Sequence, residues 1–134
     1  MTKLIDIEGI GSKYAGKLKA AGVTSAEDLL KKGATPKGRE VIAQKSGVGH
    51  HLILEWVNHV DLFRIKGVGS EYADLLEEAG VDTVPELAQR KGEHLFQKMM
   101  EVNVAKKLVR KMPTQKQVES WIAQAKKLPR TINY

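Results

Sequence analysis

The chain of 134 residues has no cysteine. Disulfides and thiolate metal sites are thereby excluded, and the usage fits a reducing compartment. Long hydrophobic runs are missing as well. No stretch approaches the roughly 18 apolar residues that a spanning helix requires, and the opening MTKLIDIEGIG lacks the apolar region of a secretory signal. The expectation is a cytoplasmic protein with no membrane partner. Strand patterning is nearly absent, and no Pro/Gly/Ser-rich linker interrupts the chain. Catalytic motifs are missing too: there is no P-loop, no Ser/His/Asp set and no paired-carboxylate metal motif. The four histidines, His50, His51, His59 and His94, lack the spacing of a zinc site. The chain therefore reads as a non-enzyme, with no catalytic residue, no bound metal and no small-molecule substrate.

What the chain does have is an internal repeat. Leu4 to Leu29 reads LIDIEGIGSKYAGKLKAAGVTSAEDL, and Leu62 to Leu87 reads LFRIKGVGSEYADLLEEAGVDTVPEL. The segments align without a gap at an offset of 58, and 12 of 26 positions are identical. A repeat of this length sets the unit of folding. Residues 1–61 and 62–134 are the expected units.

Helix signals fill both copies. Ser12 to Ala21 reads as a helix closed by Gly22, with Val23 placed for the hydrophobic contact of a Schellman cap. Thr24-x-x-Glu27 fits a capping box for a second helix, which ends near Gly33. Thr35-Pro36 opens a third, which runs to about Ser46, and Gly49 or His50 opens a fourth. The fourth carries an apolar stripe of Leu52, Ile53, Trp56, Val57 and Val60. A short turn over Leu4 to Ile7 makes five helical pieces. In the second copy Gly80-Val81 and Thr83-x-x-Glu86 repeat the plan. Val118, Trp121, Ile122 and Ala125 match the stripe, now at an offset of 65. Seven extra residues therefore lie around Glu93 to Asn103, and the middle helices of the second unit should be longer or shifted. Trp56 and Trp121 read as matched core residues.

The net charge of +6 is unevenly spread. From Leu62 to Ala105 there are five basic and eight acidic residues; from Lys106 to Arg130 there are eight basic residues and only Glu119. A basic end on a small protein fits either a polyanionic partner or a solvated lysine-rich face.

The repeated core is Gly-apolar-Gly at the opening of a helix: Gly9-Ile10-Gly11-Ser12 and Gly67-Val68-Gly69-Ser70, with a looser copy at Gly47-Val48-Gly49-His50. The place for a fourth copy, Lys111-Met112-Pro113-Thr114, has lost its glycines. The first Gly permits a turn of positive φ, and the apolar residue plugs into the core. The second Gly leaves room for a phosphate. The N–H groups that follow lack intrahelical partners and stand at the positive end of the helix dipole.

This pattern resembles the helix-hairpin-helix motif. The whole chain resembles two tandem double helix-hairpin-helix domains, all-α, pseudo-duplicated and SAM-like, of the kind found at the C-terminus of Holliday-junction branch-migration proteins. Related pairs occur in excision-repair nucleases and archaeal recombinases. GIGSKYAGKLKAAGV, with the ATPKGR segment after it, looks like a domain-of-unknown-function family of small prokaryotic tandem helix-hairpin-helix proteins. The resemblance implies binding of the duplex backbone without sequence reading. It implies no organic cofactor, though in some such families a monovalent cation held by hairpin carbonyls bridges to the phosphate. Carried over to this chain, the phosphate site comprises Gly9, Ile10, Gly11 and Ser12, flanked by Lys13 and Lys17. Gly47, Gly49, His50, Gly67, Gly69, Ser70, Lys111 and Lys116 are further candidates. The second copy departs from the pattern: SEYADLLEEAG has four acids and no base, whereas SKYAGKLKAAG has three lysines and no acid.

The expected function is non-catalytic, sequence-independent binding of nucleic acid, duplex or branched DNA above all. The alternative is a protein-protein interaction or scaffold module, in which the same glycines merely build interhelical turns and the acidic second hairpin helix docks a basic protein partner.

Overall fold

A computed structural model describes residues 2–134. Among these, every regular element is helical: a 3₁₀ turn over Leu4–Asp6 and eight α-helices. These are α1 Ser12–Ala20, α2 Ala26–Lys32, α3 Pro36–Ser46, α4 His50–Leu62, α5 Ser70–Glu78, α6 Val84–Ala88, α7 Gly92–Lys106 and α8 Gln115–Lys127. Among the described residues no helix is long and apolar enough to cross a membrane. The chain divides into two units, one holding the chain through Asp61 together with Thr131–Tyr134, the other Leu62–Arg130.

In the first unit, the bonds that cap α1 follow from its last residues. Ala21 is the C-cap, and Gly22 takes φ +88, a conformation that a side chain would strain. The Val23 N–H then donates to Leu18 O at 2.9 Å and Gly22 N–H to Lys19 O at 3.0 Å, the paired bonds of a Schellman motif. Val23, now past the helix, is fully buried, as are Leu18 and Leu29. The next cap falls one residue later than the Thr24 expected from sequence. Ser25 is extended and accepts from Asp28 N–H, while Thr24 N–H is itself taken by the Asp28 carboxylate. Thr35 caps α3 by accepting from Gly38 N–H, with Pro36 at the first helical position. Helix α4 buries Ile53, Trp56, Val57 and Val60. Each such side chain contributes about 1.5–3 kcal/mol relative to exposure.

The second unit repeats these devices. Gly80 takes φ +96, Val81 N–H donates to Leu76 O at 2.8 Å, and Gly80 N–H donates to Glu77 O at 2.9 Å. Thr83 stands at the N-cap of α6 but makes no side-chain capping bond; Glu86 instead accepts from Asp82 N–H. Val118, Trp121, Ile122 and Ala125 of α8 are all buried. The seven extra residues are a net sum and lie only partly around Glu93 to Asn103: α6 is two residues shorter than α2 (five against seven), α7 is four longer than α3 (15 against 11), and the loop before the last helix is five longer (residues 107–114 against 47–49). The longer helix ends on Lys107 at φ 52, a left-handed position that Gly47 fills at φ 75 after α3.

Two expectations need correcting. The second unit has four helices rather than five, because Leu62 finishes α4 and the turn to Ile65 is closed by a single Ile65 N–H to Leu62 O bond. Residues Thr131–Tyr134, expected with the second unit, belong to the first. Asn133 N–H donates to Ala34 O at 2.8 Å, the buried Arg39 guanidinium donates to Gly33 O and Asn133 O, and Tyr134 O–H donates to Asn58 Oδ1. Ile132 is 2% exposed, so an apolar anchor drives this return.

Candidate nucleic-acid interface

The first hairpin is built on an indole. Gly9 has φ +89, and a Cβ there would stand 3.4 Å from Trp56 Nε1. Tyr14, in the first turn of α1, packs edge-on against Trp56 with ring centroids 5.1 Å apart. Ile10 fills the core at 3% exposure, and its N–H closes the turn onto Ile7 O. The loop is therefore held from below, and its outer face is backbone. Gly11 is the N-cap of α1 in extended conformation, with no side-chain capping bond, and the first helical bond is Ala15 N–H to Gly11 O. The donors of the first turn consequently have no partner within the helix. A Cβ at Gly11 would meet nothing within 4 Å, so the approach is open.

Charge follows the same line. Lys13 is exposed. Lys17 is half-buried, its Nζ 5.9 Å from the Tyr14 ring centroid, a cation–π contact that orients the side chain. Helix α1 carries no acid; the one carboxylate in the turn is the exposed Glu8.

The second hairpin has the same skeleton. Gly67 has φ +95, with a Cβ 3.1 Å from Trp121 Nε1, and Tyr72 packs on Trp121 at 5.3 Å. Gly69 is an uncapped N-cap. Gln124 pins this turn from both sides, accepting from Lys66 N–H at 2.9 Å and donating to Lys66 O at 3.3 Å. The charges are exchanged: the turn carries Lys66 and the helix carries Glu71, Asp74, Glu77 and Glu78. Ser70 Oγ is enclosed and makes no hydrogen bond. Beyond the far end of α5, burial, then Glu86 and Glu77, push the Asp82 carboxyl above its ordinary range, while the acid of the first turn is Glu71. An acidic helix start repels phosphate.

The third candidate lies at the start of α4. Gly47 caps α3, Val48 is buried, and Gly49, His50 and His51 are exposed. A Cβ at Gly49 would come within 3.1 Å of the His51 ring. His50 stands about 9 Å along the α4 axis from Trp56, the residue beneath the first hairpin. At the fourth place, the Thr114 hydroxyl accepts from Gln117 N–H and the Gln117 side chain accepts from Thr114 N–H. That capping box consumes donors which the starts of α1 and α5 leave without a side-chain cap. Lys111 and Lys116 are exposed, but Lys106 of the basic run is paired with Glu78 at 2.6 Å. Among the described residues no three His, Asp or Glu side chains gather as a metal-binding group.

Sequence reasoning missed Tyr14, Tyr72 and Gln124. The tyrosines are identical between the copies, and that identity was the available signal. No such signal marks Gln124.

No curated protein and no solved structure matches the chain. A family model does, over residues 8–128, a span that takes in all three Gly-apolar-Gly segments and both tryptophans. The chain thus belongs to the family described as a domain of unknown function (DUF4332).

Proposed function

We propose that the two units are copies of one double helix-hairpin-helix design, and that the protein binds the backbone of duplex or branched DNA, without catalysis, through the first hairpin. The observation that carries this reading is the start of α1. An uncapped turn of donors, an open approach over Gly11 and two lysines meet there with no acid on the helix. Phosphate contacts of this kind position a protein and read no sequence. The matched φ values of Gly9 and Gly67, and of Gly22 and Gly80, support the duplication.

Binding is then weak, with a Kd of roughly 10⁻⁴–10⁻⁶ M at physiological salt. With about four phosphates neutralised by Lys13, Lys17 and part of the basic Lys106–Arg130 run, log K falls against log salt with a slope near −3.6, at about −0.9 per phosphate. The test titrates a labelled random duplex across a salt series. Lys13→Glu with Lys17→Glu weakens binding, whereas Glu71→Gln with Glu77→Gln does not. No measurable binding at low salt removes the reading; equal behaviour of the two double variants removes the first hairpin from it. A second reading has its own observation, the acidic α5: a basic protein partner docking on Glu71 and its neighbours, which the Glu71→Gln, Glu77→Gln variant abolishes.

A further inference from the structure

Beside the first hairpin, within the first unit, lies an open cavity of ≈ 470 Å³. This is inside the range of about 300–1,000 Å³ that small ligands occupy. Its wall is chiefly aliphatic, from Leu4, Ile5, Ala15 and Gly16, and its polar lining includes Lys3, Lys19 and Ser12. Ile5 is 54% exposed, an apolar side chain left at the edge of a hole rather than in the core. Gly16 stands mid-helix, where glycine weakens the helix, yet a Cβ there would meet nothing within 4 Å. Neither its φ nor a close neighbour demands glycine; what its small size does is leave the cavity open. Two nearby carboxylates are already engaged: Glu27 accepts from Thr2 N–H, and Asp28 accepts from Thr24 N–H and Lys32.

The repeat supplies an internal comparison. At an offset of 58, Gly16, Lys19 and Thr24 correspond to Asp74, Glu77 and Asp82 of the second unit, while the counterpart of Lys3 is the buried Asp61, still in the first. The small and basic lining of one unit has become acidic in the other. A mere packing defect would not explain why three lining positions turn acidic together. An anionic ligand with an apolar body, taken by the first unit and refused by the second, explains it.

We propose that this cavity is a binding site for a nucleoside 5′-phosphate, with the base against Leu4, Ile5 and Gly16 and the phosphate between Lys3 and Lys19. No aromatic side chain lines it, so the base is held by shape and not read by stacking. The nucleotide comes either free or as an unpaired nucleotide of a DNA strand. The second source rests on the proposed function, because Ser12 belongs both to the hairpin and to the cavity lining. It makes the preferred DNA one with an unpaired end or fork rather than an intact duplex.

The experiment uses the full chain. Labelled protein is titrated with deoxyadenosine monophosphate while the Gly16 and Lys19 amide signals are followed. In parallel, anisotropy compares a fully paired duplex with the same duplex carrying one unpaired, 5′-phosphorylated nucleotide. Gly16→Leu fills the cavity and replaces a helix-interior glycine by a good helix former; Lys3→Gln with Lys19→Gln removes the cations and leaves the cavity. The expected result is a preference of about fivefold or more for the unpaired probe, as burial of one base against aliphatic walls provides. Both variants abolish the preference while binding the paired duplex as the wild type does. Saturable shifts with the mononucleotide alone identify the free nucleotide as a source; preference for the unpaired probe without such shifts identifies the strand. Equal binding of the two probes together with no saturable shift overturns the proposal. Loss of all duplex binding by the wild type refutes the hairpin reading instead, and the mononucleotide titration then decides the cavity by itself.

Discussion

Gly67 and Gly80 offer a clean measurement of how the hairpin is held. Both lie in the second unit and their φ values are nearly equal, +95 and +96. They differ in what a Cβ would touch. At Gly80 the nearest atoms are the Arg90 guanidinium nitrogens, at 3.7 and 3.8 Å, the far end of a flexible side chain. At Gly67 it is Trp121 Nε1 at 3.1 Å, on an indole that is 3% exposed and packed against Tyr72. Alanine at either position forces a Cβ into a left-handed conformation, which costs about 1–2 kcal/mol. At Gly67 the indole must also shift within a filled core, and overpacking adds about 1 kcal/mol or more. Gly80→Ala should therefore cost about 1–2 kcal/mol and Gly67→Ala about 2–3 kcal/mol. Equilibrium urea denaturation, followed by far-UV circular dichroism, reads both through the transition of the same unit. In the first unit the two costs should lie close together, because a Cβ at Gly9 stands 3.4 Å from Trp56 Nε1 and one at Gly22 3.9 Å from Lys32 Nζ, both at ordinary contact distance. If Gly80→Ala costs as much as Gly67→Ala, the tryptophan does not brace the turn and the account of the hairpin fails.

Lys107, the only non-glycine residue of positive φ among those described, has φ 52 at the end of α7. Lys107→Gly should raise stability by about 1 kcal/mol, and a fall in the urea midpoint would contradict the assignment of this cap. Asp82 has its carboxyl pushed up by burial, then by Glu86 and Glu77. Its folded-state value lies above the unfolded one, so its contribution is favourable below the unfolded value of about 3.9 and is lost as pH rises. Asp82→Asn should thus stabilise the protein at neutral pH and have little effect near pH 3.5 in paired thermal melts; an equal gain at both values would exclude the electrostatic cause. Arg39, 5% exposed, donates to Gly33 O at 2.8 Å and Asn133 O at 2.9 Å. Arg39→Met leaves a buried carbonyl without its donor, at a cost of about 1–3 kcal/mol, and hydrogen exchange at the Asn133 amide should accelerate. Unchanged protection there would show that Arg39 does not hold the C-terminal segment.

Much of the helical plan was legible because its signals are local. Thr35-Pro36 at the start of α3, Gly22-Val23 after α1 and the stripe of Ile53, Trp56, Val57 and Val60 each depend on neighbours within a few residues. The cap of α2 was misplaced by one residue because Thr24 and Ser25 are both good caps. Which one takes the role depends on Ser25 being drawn into the core, at 4% exposure. At the candidate site, Gly9, Gly11, Lys13 and Lys17 were readable from the repeat and from charge. The cavity was not, since Lys3, Ile5 and Gly16 are unremarkable until the 3₁₀ turn brings the first two beside α1.

By itself the sequence determined the helical character, the Gly22 and Gly80 ends, the Thr35 start and the exchange of charge between the two copies. Backbone sterics and helix periodicity act within one or two turns, so these features are written where they occur. The tertiary structure alone decided which donors stay open and which are consumed. Gln124 reaches Lys66 from 58 residues away, Lys106 spans 28 residues to neutralise Glu78, and Arg39 spans 94 residues to Asn133. Such partners are chosen by packing, because burial brings together side chains whose separation in the chain carries no periodic signal.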